Sequence, residues 1–225
     1  MAVSSGETGP VVTGARRLLD GHGIATVAVR GSKNRSDVMV SAGHHWIGEG
    51  AIVVTGTPAP WSELVVAPGE SVEVVVMIDE FAPIVEAKVH VASLYAFGVA
   101  RAARQGEGWN VEIEIQLGDV DVKRLGHAGT VDARLLDAVP SDPLARDSAG
   151  LADEIRARFG GDLAVLAGAG DPASPPYVLG VDPEGLHLIT ALGVDADVVH
   201  LPFMARAECV GDVVREMDRY VARAS

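Results

Sequence analysis

The chain has 225 residues, 48% of them hydrophobic and only 4% aromatic, with a single cysteine and a formal net charge of −13. That apolar content supports a folded core and argues against global disorder, while the lone Cys209 excludes an intrachain disulfide or a cysteine-based zinc site. A negative field without a compensating Lys/Arg stripe makes nucleic acid an unexpected partner.

In chain order, Met1 to Pro10 is small and polar and is expected to be disordered; without a basic segment and an apolar run it does not read as a signal peptide. Ala15 to Asp20 reads as a short helix stopped at Gly21 or Gly23. Ile24 to Arg30 is a predicted strand, Gly31 to Asp37 a polar loop, and Val38-Met39-Val40 the start of a second strand. Gly43 to Gly50, including His44, His45 and Trp46, reads as a turn or loop before a third strand, Ala51 to Thr57. The β-branched runs Ser71 to Ile78 and Ile84 to Leu94 add two more strands around Pro83, and Tyr95 to Ala100 is open between strand and helix. Val111 to Leu117 alternates apolar and acidic residues, as a strand with one wet face does, and Val120 to Val122 extends it past Gly118. Five or six antiparallel strands without long intervening helices point to a closed or nearly closed barrel, with a sandwich as the alternative.

After Leu136 the texture changes. Asp137 to Ser148 reads as a linker and helix entry, with Ser148 as cap for a helix from about Leu151 to Phe159 or beyond; Gly160-Gly161 marks a break or a weak point, with Leu163 to Leu166 as the continuation. Two short strands, Tyr177 to Asp182 and Leu186 to Ala191, flank the turn Asp182-Pro183-Glu184-Gly185; Val198 to Leu201 is a third. A closing amphipathic helix spans Ala207 to Ala222, with Val210, Val213, Val214, Met217 and Val221 on one stripe. No run approaches the roughly 20 apolar residues that span a bilayer, so no membrane partner is expected and the cytoplasm is the expected location. No Gly-x-Gly-x-x-Gly, phosphate-cradling lysine loop or Gly-x-Ser-x-Gly elbow occurs, which argues against Rossmann dehydrogenases, nucleotide hydrolases and α/β-hydrolases.

Two regions carry a family resemblance. One runs from Val111-Glu112-Ile113-Glu114-Ile115-Gln116-Leu117-Gly118 through Gly126, Val131-Asp132 and Ser141-Asp142-Pro143-Leu144-Ala145. The other is Gly180-Val181-Asp182-Pro183-Glu184-Gly185-Leu186-His187-Leu188 with Val199-His200-Leu201-Pro202-Phe203 and the closing helix. Together they resemble the pyridoxamine-phosphate-oxidase-like split-barrel proteins with a HugZ-type (haem utilisation) C-terminal domain. The resemblance implies an α+β chain: an antiparallel split β-barrel over 11–139 of the FMN-binding/HugZ-like kind, then a small α/β domain over 140–225. It also implies a homodimer with a ligand groove between subunits, and haem, or alternatively FMN, as cofactor. The expected function is haem binding or degradation. A flavin-dependent oxidoreductase and a cofactor-free binding or regulatory module are the alternatives, so whether the chain is an enzyme is left open. Where the family carries a helix segment of the form His-Met-Asn-x-Asp-His, this chain has Glu154-Ile155-Arg156-Ala157-Arg158-Phe159, and Lys123-Arg124 replaces the family's acidic pair.

With those helix histidines gone, a haem reading needs another imidazole for iron and cations for the propionates. His127, read as a loop residue after Arg124, is the candidate iron ligand, with His90 as a second cofactor-binding candidate. Arg124, Lys123 and Arg101 are the candidate anion partners, because guanidinium and ammonium groups suit carboxylate or phosphate. Ser32-Lys33-Asn34-Arg35-Ser36 offers groups suited to a flavin phosphate. Without any ligand, an exposed loop position is the ordinary account of His127, a surface turn that of the His44-His45 pair, and a solvated outer face that of His187.

Overall fold

The alternating β-branched segments do become strands. The computed structural model describes residues 8–84, 88–105, 110–144, 147–168, 176–190 and 198–224. The chain forms two compact units, Met1–Glu80 with Ala92–Ser141, and Phe81–Val91 with Asp142–Ser225.

Built mainly from the first unit, β1 (Ile24–Val29), β2 (Val38–Gly48), β3 (Ala51–Gly56), β4 (Val72–Phe81), β5 (His90–Gln105), β6 (Val111–Arg124) and β7 (His127–Asp132) share one sheet. The order is β3-β2-β1-β4-β5-β6-β7, and β3 also pairs with β6. Six strands therefore close on themselves and β7 is an additional strand on β6, so the barrel expectation holds and the sandwich does not. Register follows the sequence alternation: Val27 opposes Val76 and Val54 opposes Ile113, all four pointing inward. Ile52, Val74, Leu94 and Ile115 complete a core of aliphatic side chains, each worth roughly 1.5–3 kcal/mol of burial. Helix α1 (Thr8–Leu19) inserts Val11, Ala15, Leu18 and Leu19 into the same core. Two glycines permit its approach: a Cβ on Gly14 would lie 3.0 Å from Arg124 Cδ, and one on Gly129 3.3 Å from Val11.

The second unit holds α2 (Ser148–Leu166), β8 (Tyr177–Asp182), β9 (Gly185–Ile189), β10 (Val198–Pro202) and α3 (Val210–Ala224). The strands form a β10-β9-β8 sheet, and Ile155, Phe159 and Leu163 of α2 share a core with Val178, Leu186, Leu188, Val213 and Met217. No helix among the described residues is long and apolar enough to cross a membrane.

Several local expectations are corrected. Helix α1 already begins at Thr8, inside the segment expected to be disordered; Pro10 is compatible because the first helical turn needs no N–H from it. Strand β2 runs straight through the expected Gly43–Gly50 turn as far as Gly48, with register shifts at Ser41/Gly43 and Trp46/Gly48 that break the period-two pattern. Strand β5 begins at His90 rather than Ile84 and continues through Tyr95–Ala100 to Gln105, while 85–87 lie outside the described residues. Of the two alternatives at Gly160-Gly161 the continuous helix is the one found, α2 running on to Leu166, since the apolar contacts of Phe159 and Leu163 on either side outweigh about 1 kcal/mol of propensity per glycine.

Candidate functional site

The β6–β7 hairpin carries three of the five candidate residues. Leu125 (φ 46°) and Gly126 (φ 88°) form its two-residue turn, both in the left-handed region that a tight type I′ connection demands. Arg124 and His127 are therefore direct cross-strand partners, and His127 is the first residue of β7 rather than a loop residue. Opposed residues share a face, so His127 lies on the Arg124 side, the side on which Gly129 meets α1. Lys123, opposite Ala128, lies on the other face and is exposed.

Arg124 is buried and turns inward. It contributes to the field at Glu80, together with Arg17 and His22. Glu80 Oε1 accepts from Arg17 Nη2 at 3.1 Å, and His22 Nδ1 is 3.8 Å from the same oxygen. Burial alone would raise the Glu80 pKa, but Arg17, His22 and Arg124 hold it below the ordinary carboxylate value. Beside this cluster the buried His44 donates from Nε2 to the Leu18 carbonyl at 2.7 Å. Burial lowers its pKa by more than that bond raises it. The expected surface turn for His44 is thus a buried strand position fastening the end of α1. No local signal marked either group: His44 is hidden by the bulges, and Glu80 reads as the polar end of an apolar run.

The other two candidates lie on β5. Arg101 points outward from β5 next to the buried Ala100. His90 is exposed, with its ring 5.3 Å from that of Phe81, over which Lys88 also lies at 4.2 Å; these three belong to the second unit. Within one chain the hairpin brings Arg124 and His127 together and leaves Lys123 on the far face.

A cleft of about 700 Å³ opens on the barrel between Glu49, Gln116–Asp119, Asp132, Arg134 and Asp137. Much of its polarity is structural. Asp137 accepts from Trp46 Nε1 (3.0 Å) and Glu49 N (2.8 Å), and Asp132 binds the side chain and backbone of Arg134. Four carboxylates against one guanidinium make the cleft unfavourable for propionate or phosphate. Among the described residues no group of His, Cys, Asp and Glu could hold a metal ion.

The small sheet contains a further array. Asp182 Oδ1 accepts from Glu184 N (2.9 Å) and Gly185 N (3.0 Å), and its Oδ2 is 2.8 Å from His187 Nε2. The His187 ring stacks on His200, its register partner on β10, at 4.6 Å and 13°. The expected solvated face for His187 is therefore wrong. It is buried because its ring is covered by His200 and tied to the turn carboxylate. The parallel rings direct their in-plane lone pairs side by side, which suits stacking and not joint metal ligation.

No protein-family model matches the sequence, and no curated protein matches it. Among solved structures, a heme binding protein from Mycobacterium smegmatis is similar over 100% of this chain and 99% of that one, at 15% identity and a TM-score of 0.55. A protein of unknown function from Agrobacterium tumefaciens aligns over 99% of this chain and 97% of its own at 15% identity and a TM-score of 0.38. A FAD and heme binding protein from M. smegmatis aligns over 52% and 80% at 15% identity and 0.33; neither of these two scores carries an argument. The first likeness speaks to fold. With the closed six-stranded barrel, its extra strand and the small C-terminal sheet and helices, it defines the class: an α+β split-barrel protein.

Proposed function

We propose that this split-barrel chain is of the HugZ type, works as a homodimer, and binds haem in a groove that two barrels share. The fold match along both whole chains to the mycobacterial heme binding protein carries the reading. His127 presents an exposed imidazole with the chemistry an iron ligand needs, and Lys123 and Arg101 present outward cations suited to propionates. Because His127 and Lys123 face opposite sides of their hairpin, one copy does not surround a macrocycle with both, and a second copy would supply the other wall. When bound, haem would bring its own redox chemistry; the chain's residues would bind and orient it. Arg124, occupied beside Glu80, would stiffen the hairpin instead of contacting the ligand.

A dimer is supported by the outer face of β2, β1, β4 and β5. There Val38, Val40, Ile24, Tyr95 and Phe97 are exposed, and Arg30 of the loop after β1 lies over the Phe97 ring at 4.8 Å. Apolar surface of this kind on a soluble barrel favours a covering partner. A cytoplasmic location goes with the same reading. One observation favours FMN as the alternative ligand. Trp61 is 75% exposed on a loop fixed by the buried Asp37, which accepts from Glu63 N (3.2 Å) and from Ser32 Oγ (2.7 Å). An exposed indole on that loop, with the cations Lys33 and Arg35 in the loop that carries Ser32, offers the groups that suit a flavin ring and its phosphate.

The deciding experiment titrates the purified chain with haemin and, separately, with FMN, alongside light scattering. A sharp Soret band saturating near one haem per chain, lost in His127→Ala, is expected. A band unchanged in both His127→Ala and His90→Ala refutes the ligand assignment. Flavin binding without a Soret response supports the alternative, and a dimer that binds neither leaves the cofactor-free module.

A further inference from the structure

Of the chain's five methionines, Met39 and Met217 are 1% and 0% exposed, Met77 is half-buried on β4, and Met1 lies outside the described residues. Met204 is 64% exposed. Exposure alone makes a thioether oxidisable, and it would leave the two sulfur lone pairs equivalent. Met204, however, is held. Its backbone N–H donates to the buried Glu216 carboxylate at 3.0 Å. The Tyr220 hydroxyl donates to the Pro202 carbonyl. Arg223 Nη2 lies 2.9 Å from the Met204 sulfur. Residues 216, 220 and 223 form one stripe of α3 at spacings of four and three. The segment after β10 is thus laced to that stripe, with the thioether beneath a guanidinium.

We infer that Met204 is a stereochemically biased oxidation site, which a hydroperoxide converts mainly to one methionine sulfoxide epimer because Arg223 covers one sulfur lone pair. The uncovered lone pair of Sδ attacks the peroxide oxygen. The S–O bond forms as the O–O bond breaks, and the proton on the transferred oxygen passes through water to the departing hydroxide, leaving sulfoxide and water. Sulfur is oxidised by two electrons and the peroxide is reduced by two. The sulfoxide oxygen is a far better acceptor than the thioether, and rotation about Cγ–Sδ brings it to Arg223 for a charge-assisted hydrogen bond. Oxidation therefore keeps this segment docked on α3, whereas at the buried Met39 or Met217 a new polar oxygen would disrupt packing.

The test exposes the full chain to limiting hydrogen peroxide and follows each methionine by peptide mass spectrometry. A parallel digest with the two epimer-specific methionine sulfoxide reductases reads the stereochemistry. Met204 is expected to oxidise ahead of Met77, Met39 and Met217. One epimer is expected in about fivefold excess, the Boltzmann equivalent of a net hydrogen bond of about 1 kcal/mol. Arg223→Ala, in the exposed last turn of α3, should bring the ratio to about one, and Arg223→Lys to an intermediate value. Equal epimers in the unaltered chain, an undiminished bias in both variants, or Met77 oxidising first overturns the inference.

Discussion

Glu80 and His44 hold the same end of α1 to the barrel, one through Arg17 and the other through the Leu18 carbonyl. Removing the carboxylate in Glu80→Ala takes away the counter-charge that Arg17, His22 and Arg124 face. Loss of one member of a buried pair costs about 3–5 kcal/mol, and urea unfolding of the full chain should show a loss of that order. His44 adds a pH dependence whose sign follows from its lowered pKa. The fold prefers the neutral ring, so on acidification the unfolded chain takes up the proton first. The stability due to His44 is complete above its ordinary value of 6.5 and is lost as pH falls through the lowered folded value. Glu80 has the same sign in a lower window: its contribution is complete above 4.5 and is lost further into acid. The urea midpoint should therefore decline as pH is lowered from neutrality through 6.5 and below. His44→Gln, which keeps a donor for the Leu18 carbonyl without a titrating ring, should flatten that decline; an unchanged slope would assign it to other groups.

Strands whose alternation is unbroken, β1, β3, β4 and the first half of β6, were legible because inward and outward positions keep period two. Strand β2 was not, since two bulges shift its pattern and Ser41 Oγ takes over a ladder position by accepting from Ala25 N. The long β5 was ambiguous at Tyr95–Ala100 because its outward face carries Tyr95 and Phe97, which read like core residues. Likewise the candidate cations could be named from sequence, but their facing could not. Arg124 and Lys123 differ only by the pleat, which the turn at Leu125-Gly126 fixes. Gly98 shows how tightly β5 meets β6: a Cβ there would lie 2.8 Å from Ile115 Cγ2 and 2.9 Å from the Gln116 carbonyl. Backbone cannot yield as a flexible side chain can, so Gly98→Ala should cost about 1–3 kcal/mol, read as a lowered thermal midpoint. In the small sheet, Asp182→Ala removes the acceptor for two turn N–H groups and the partner of a buried histidine. Its cost of about 2–3 kcal/mol should appear as faster hydrogen exchange across β8 to β10, where a merely solvated aspartate would leave protection unaltered.

At the scale of the molecule, charge opposes the ligands proposed for it. The chain carries −13, its barrel cleft is lined by four carboxylates, and both haem with its propionates and FMN with its phosphate are anions. Long-range repulsion of this kind slows encounter, and salt relieves it because the Debye length shortens from about 30 Å at 0.01 M to about 10 Å at 0.1 M. Two copies repel one another for the same reason, so a dimer held by the apolar face of β2, β1, β4 and β5 should tighten with salt. Stopped-flow binding of FMN or monomeric haemin should accordingly accelerate as ionic strength rises. Lys123→Glu should steepen the dependence if that outward cation guides the anion on its final approach. A rate that falls with added salt would mean instead that a local cationic site steers the ligand, as cationic funnels do. The acidic surface would then be remote from the point of entry, and Lys33 and Arg35 would become the residues to alter first.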